Sequence, residues 1–191
     1  VFSERAKLLK DTYSTKFNID ITCWDIKKMD IESKNITKQL PQFDVIYAWG
    51  VFHHLNDMWS AIEHSIELCN PGGYLFLSLY VNLPHNSSYD NCKTYKSKFN
   101  SLNHHGKIKM MADRVMLVKH KKKTCEKWNQ IKIRGMNVLN DIIDWLCGHN
   151  FKHDTDENII AYFKNRNFTL IRSQTLKSRA CNEWLFQKNL N

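Results

Sequence analysis

Two clusters of side chains in this sequence have the types and spacing to do chemistry. The first is Trp24-Asp25-Ile26, where a carboxylate lies between two apolar side chains and can hold the exocyclic amine and flat faces of an adenine. The second is Ala48-Trp49-Gly50, followed at once by Val51-Phe52-His53-His54, which brings bare backbone, an aromatic ring and two imidazoles together. An imidazole titrates near neutrality and so takes up and releases protons under ordinary conditions. Together the clusters point to a nucleotide-like ligand.

Residues this close in type act together only if secondary structure delivers them to one place. Residues 3–13 predict an amphipathic helix capped by Ser3, with Ala6, Leu9 and Tyr13 on one side and Leu8 beside them. Residues 19–24 alternate apolar and polar and predict a strand that ends at Asp25, and polar residues 27–40 predict a loop with room for a short helix. Residues 43–49 form a nearly continuous apolar run, the pattern of a strand covered on both faces, which Gly50 ends. From an N-cap at Asn56 or Asp57, the residues Met58, Trp59, Ile62, Ile66 and Cys69 predict a helix facing a core. Asn70-Pro71-Gly72-Gly73 stops it and turns the chain into a buried strand at 74–81. Strand, helix and strand with short joints make a βαβ unit, so the core is a parallel α/β sheet. In such sheets ligands sit at the carboxyl ends of the strands, where both clusters fall.

Residues 84–105 show little period and predict an excursion from the sheet. Residues 108–118 predict a helix running into the basic stretch 119–123, and residues 138–147 predict a second. Residues 156–167 predict a helix with Ile159, Ile160 and Phe163 inward, followed by strands at 168–173 and 182–187. Two successive strands imply a closing hairpin, with one antiparallel strand near the sheet edge.

The chain has 191 residues, 42% hydrophobic and 25% charged with 3 prolines, which excludes a disordered or low-complexity protein and suits one domain. Its apolar stretches, such as residues 74–83, fall far short of the roughly 20 residues that span a bilayer, so a soluble cytoplasmic protein without membrane association is expected. Six scattered cysteines with no CxxC pair read as free thiols, and the histidine spacing predicts no metal site. A formal net charge of +9 suits an acidic partner such as nucleic acid. The lysine run at 119–123 can grip phosphates, but a charge run more often marks a solvated helix end, so nucleic acid is the less favoured partner. Oligomeric state is left open.

The stretch FDVIYAWGVFHHLNDMWSAIEHSIELCNPGGYLFLSLY resembles the fourth strand, fourth helix and fifth strand of class I S-adenosylmethionine-dependent methyltransferases, in the small-molecule branch with the ubiquinone-type O-methyltransferases. The tail, with RGMNVLNDIIDWLCGHNF, TLIRSQ and CNEWLFQK, is similar to the distal part of that branch. The resemblance implies a single, partial methyltransferase domain over 1–191. Its fold would be a Rossmann-like, mostly parallel α/β sheet with an antiparallel C-terminal edge hairpin, N-terminally truncated, and with a helical insertion over 82–147 as a cap on the substrate side. The family's glycine-rich loop and ribose-binding acid are not in the sequence, so both are expected upstream of Val1, unless the chain is a degenerate relative.

The resemblance also implies a cofactor, S-adenosyl-L-methionine, and a small-molecule acceptor, with transfer to oxygen preferred over nitrogen or carbon. Asp25 and Ile26 would contact adenine with Trp24 nearby, and Ala48, Trp49 and Gly50 would line the methionine end. Asp25 reads otherwise as a strand-end turn residue, and Trp49 as a large core aromatic. His54 and His53 are the candidate catalytic pair, His54 toward the acceptor and His53 fixing the loop, although both also read as loop-shaping residues. The position after the fourth strand reads AWGVFHH in place of the Asn/Asp/Ser-Pro-Pro-aromatic motif of base-amine methyltransferases. The other readings are a non-catalytic scaffold with the same fold and an RNA-directed methyltransferase.

Overall fold

A computed structural model describes residues 2–18, 20–81, 87–122, 132–133, 136–137, 152–175 and 181–190. The chain runs through α1 (Phe2–Phe17), a single turn α2 (Ile36–Gln39), β1 (Phe43–Trp49), a 3-10 turn at Phe52–His54, α3 (Met58–Glu67) and β2 (Cys69–Leu79). The helices α4 (Ser87–Ser101) and α5 (His104–Lys122) and the short strands β3 (Lys132–Ile133) and β4 (Met136–Asn137) come next. They are followed by α6 (Asp156–Lys164), β5 (Phe168–Gln174) and β6 (Asn182–Lys188). Among the described residues no helix is long and apolar enough to cross a membrane.

The predicted βαβ unit forms, but the helix ends at Glu67 and β2 begins at Cys69, so Asn70-Pro71-Gly72-Gly73 lies inside the strand instead of before it. β1 and β2 pair in parallel through α3, and β6 runs antiparallel to both β2 and β5, giving the order β1-β2-β6-β5. α3 starts where expected because the Asp57 carboxylate accepts the Ser60 N–H at 3.0 Å. Its buried stripe, Met58, Ala61, Ile62, Ser65 and Ile66, follows three- and four-residue steps and lies on the sheet face made by Ala48, Leu75, Leu77, Trp184 and Phe186. Lys188 of β6 donates from Nζ to the carbonyls of Ile66 and Cys69, each at 2.9 Å, and so meets the negative end of α3. α6 packs beside α3, with the Thr155 hydroxyl capping it at Asn158 N–H and Phe163 stacked on Phe186 at 4.0 Å.

Several expectations are corrected. Of the strand expected at 19–24, the described residues 20–24 are not a strand: Asp20 Oδ1 accepts the Thr22 N–H at 2.9 Å and Trp24 N–H donates to Ile21 O, a local turn that satisfies the backbone without a ladder. α1 runs on to Phe17, and its apolar side stays open, with Leu8 67% and Leu9 52% exposed. Among the described residues β1 is covered on one face only. Ala48 is buried and Ile46 half-buried toward α3, whereas Val45, Tyr47 and Trp49 on the other face are exposed. The excursion contains α4, an uninterrupted helix with Lys96 and Phe99 buried. The expected helix at 138–147, and with it part of the expected cap at 82–147, lies outside the described residues.

Candidate functional site

The carboxyl end of β1 carries the second sequence cluster. Gly50 adopts φ +71 and donates its N–H to Ser78 O at 3.1 Å, so the chain leaves β1 while still tied to β2. A Cβ there would be strained by that φ yet would meet no atom within 4 Å, which marks open space beside the backbone. Trp49 is not a core aromatic. It is 46% exposed, and its indole N–H donates to Glu183 Oε1 of β6 at 2.9 Å. Ala48 faces the opposite way, into the core beneath α3.

The 3-10 turn after Gly50 divides the two histidines. His53 is 1% exposed and His54 is exposed, with ring centroids 4.3 Å apart. Tyr80, just beyond β2, completes the cluster at 4.2 Å from His53 and 6.1 Å from His54. The loop is held from outside by Lys152, whose N–H donates to His53 O at 2.7 Å, and by Glu32, whose Oε1 accepts the Asp57 N–H at 2.7 Å. Burial, reinforced by the charges of His54 and Lys96, pushes the His53 imidazole down to about 3, so it is neutral at physiological pH. Among the described residues, His53 Nδ1 and Ser78 Oγ are buried side-chain polar atoms without a hydrogen-bond partner. Sequence reasoning missed Tyr80, Lys96 and Ser78. Lys96 is a buried lysine on α4, and its spacing from His53 carried no signal.

The first cluster forms no strand end. Trp24 is 41% exposed, and its carbonyl accepts a hydrogen bond from Lys10 of α1. Asp25, with a side chain 69% exposed, pairs with Lys27 at 3.2 Å, and Ile26 is half-buried. Of the predicted site residues, then, Trp49, Gly50, His53 and His54 lie together at the carboxyl end of β1, Ala48 faces the core behind them, and Trp24, Asp25 and Ile26 sit on a separate loop anchored to α1.

The family model described as a methyltransferase domain matches residues 5–173. No curated protein matches the chain. Among solved structures it is similar to PKMT2 from Rickettsia typhi, at 13% identity and a TM-score of 0.53 over 85% of this chain and 38% of that one. It is also matched to magnesium protoporphyrin IX methyltransferase (ChlM) from Synechocystis PCC 6803 with bound SAH, at 10% identity and a TM-score of 0.43 over 85% of this chain and 50% of that one. The chain thus spans half or less of the length of each, and the first likeness supports the α/β fold read from the sequence.

Proposed function

This chain belongs to the family of methyltransferase domains, and from that premise we propose that it serves the transfer of a methyl group from S-adenosylmethionine to an oxygen of a small-molecule acceptor. The observation that carries the reading is the juxtaposition of open backbone at Gly50 with the His53, His54 and Tyr80 rings at the carboxyl ends of β1 and β2. S-adenosylmethionine is the family's cofactor, and when bound it supplies an electrophilic methyl group on a sulfonium. The residues present fit it in part. Gly50 leaves its Cβ position empty and Trp49 offers a flat ring, which suits the methionine end, with Ala48 as the packed support behind them. The exposed Asp25 carboxylate, with Trp24 and half-buried Ile26 beside it, has the chemistry to hold an adenine.

Methyl transfer is an in-line displacement, so the protein must align the acceptor and, for a hydroxyl, remove its proton. His54, exposed at the crevice edge, takes that proton on a ring nitrogen. His53 is a positioning residue: buried and neutral, it packs against His54 and Tyr80 and ties the loop to Lys152. The positive charge of Lys96 opposes protonation of the buried imidazole beside it, so His53 stays neutral and leaves proton transfer to His54.

S-adenosylhomocysteine titrated calorimetrically into the folded protein together with the segment expected upstream of Val1 tests the reading. Binding is expected, weakened at least about tenfold by Gly50→Val or Asp25→Ala. In single-turnover methylation of a panel of phenols and carboxylic acids, His54→Gln is expected to slow transfer by about 10²- to 10⁴-fold with cofactor affinity retained. A folded protein of that length that binds no S-adenosylhomocysteine overturns the proposal in favour of a non-catalytic scaffold.

A further inference from the structure

The hairpin of α4 and α5 encloses a groove of about 520 Å³, a volume in the range of small-molecule sites. α4 contributes Tyr95 and Lys98, the turn after it Leu102, and α5 contributes Lys109, Met110, Arg114 and Leu117. The two helices approach closely at the first turn of α5, where a Cβ on Gly106 would come within 3.1 Å of the Leu102 side chain and Asn103 Oδ1 accepts the Gly106 N–H at 2.9 Å. Lys96 and Phe99 of α4 are buried, and Lys96 is the α4 residue whose charge reaches His53.

Its lining combines apolar and cationic side chains. Leu102, Met110 and Leu117 form an apolar floor, and Leu117 is still 50% exposed. Lys98, Lys109 and Arg114 surround it with positive charge, Arg114 sitting over the Tyr95 ring at 5.9 Å from its centroid. Asp113 on the same wall lowers the positive field, which favours a singly charged head group over a phosphate dianion. An apolar floor with a cationic rim is complementary to a molecule that is apolar along its body and anionic at one end.

We propose that the α4–α5 groove binds an organic monocarboxylate with an apolar body, of the medium-chain fatty-acid class, its chain on Leu102, Met110 and Leu117 and its carboxylate between Lys98 and Lys109. The proposal does not depend on the cofactor or on the methyl acceptor.

The test titrates the intact 191-residue chain with decanoate, decan-1-ol, decylammonium and inorganic phosphate, all below micelle-forming concentrations. Decanoate is expected to bind with a Kd on the order of 0.1 mM, at least about tenfold tighter than the other three probes. Lys98→Gln with Lys109→Gln, both on solvent-exposed positions, is expected to weaken decanoate at least about tenfold while the far-UV circular dichroism is unchanged. Met110→Asn should weaken it as well. Equal binding of decanol or decylammonium, or decanoate affinity unchanged in the double-lysine variant, overturns the proposal. Equally, if decanoate does not bind and a single-stranded RNA binds in a manner lost with the two lysines, the surface belongs to nucleic acid and the proposal fails. The selectivity of the unmodified chain among the four probes decides the matter even if a variant does not fold.

Discussion

Trp49 on β1 and Glu183 on β6 are hydrogen-bonded across an intervening strand. The register pairs Trp49 with Ser78 and Ser78 with Glu183, so the three lie in one row on one face, and the 2.9 Å indole–carboxylate bond spans β2 above Ser78. That bond holds the last residue of β1 in place immediately before Gly50 turns away, which makes it a support of the crevice edge. Ser78 is fully buried in the middle of the row.

Replacing Trp49 by Phe keeps the ring and removes the donor. We expect a loss of about 0.5–1.5 kcal/mol, with Glu183→Gln costing a similar amount and the double variant little more than either alone. Urea denaturation of the four proteins checks this; strictly additive losses would show that the bond does not couple the two strands.

His53 gives the chain a defined acid sensitivity. Its unfolded imidazole takes up a proton near pH 6.5, but the folded one does so only near pH 3. The folded state binds fewer protons between those values, so this contribution to stability is intact above about pH 6.5 and is lost progressively as the pH falls toward 3. Urea midpoints at pH 7.5 and 5.0 should therefore differ more for the native sequence than for His53→Gln. The same pH slope in both proteins would refute the assignment.

α3 and α6 are joined by a polar staple. Glu63 Oε2 accepts from the Tyr162 hydroxyl and from Arg166 Nε, each at 2.5 Å, while the Arg166 guanidinium lies 3.5 Å from the Tyr162 ring centroid. Burial and the Glu63 carboxylate push the Tyr162 phenol well above its ordinary range. The group is about one-third exposed, which screens the charges, so Glu63→Ala should cost about 1–2 kcal/mol, less than a fully buried pair. Phenol absorbance titration should show one tyrosine ionising at lower pH in Glu63→Gln than in the native sequence.

The sheet face opposite α3 is apolar and open. Val45 and Tyr47 are 65% and 70% exposed, Tyr47 stacks on Phe76 at 5.1 Å, and Tyr74 and Leu185 share the surface. Contiguous apolar surface of this kind associates. Sedimentation of the 191-residue chain should show concentration-dependent self-association, reduced at least about tenfold by Val45→Lys with Tyr47→Lys. An unchanged association constant in that variant would place the contact elsewhere.

The β1–α3–β2 unit and the C-terminal hairpin were legible in the residues because each depends on local signals. A cap at Asp57 and a 3.6-residue apolar period through Ile66 act within one element, and hydrogen bonding within the chain then realises them, whereas Asn70-Pro71-Gly72-Gly73, read as a break, lies inside β2. The segment at 19–24 shows the limit of this reasoning. Its alternation is strand-like, but a strand is stable only when a neighbour pairs with it, and with none among the described residues Asp20 closed a turn instead.

Half of the candidate site was likewise legible. The chain order alone put Trp49, Gly50, His53 and His54 at one strand end, since consecutive residues cannot be far apart. That His53 is buried while His54 is exposed, that Tyr80 and Lys96 reach it from later in the chain, and that Glu183 holds Trp49 were decided by tertiary structure. Periodicity reports which side of an element is apolar, but not what covers it. Contacts between residues dozens of positions apart arise only once the sheet order has brought their elements together.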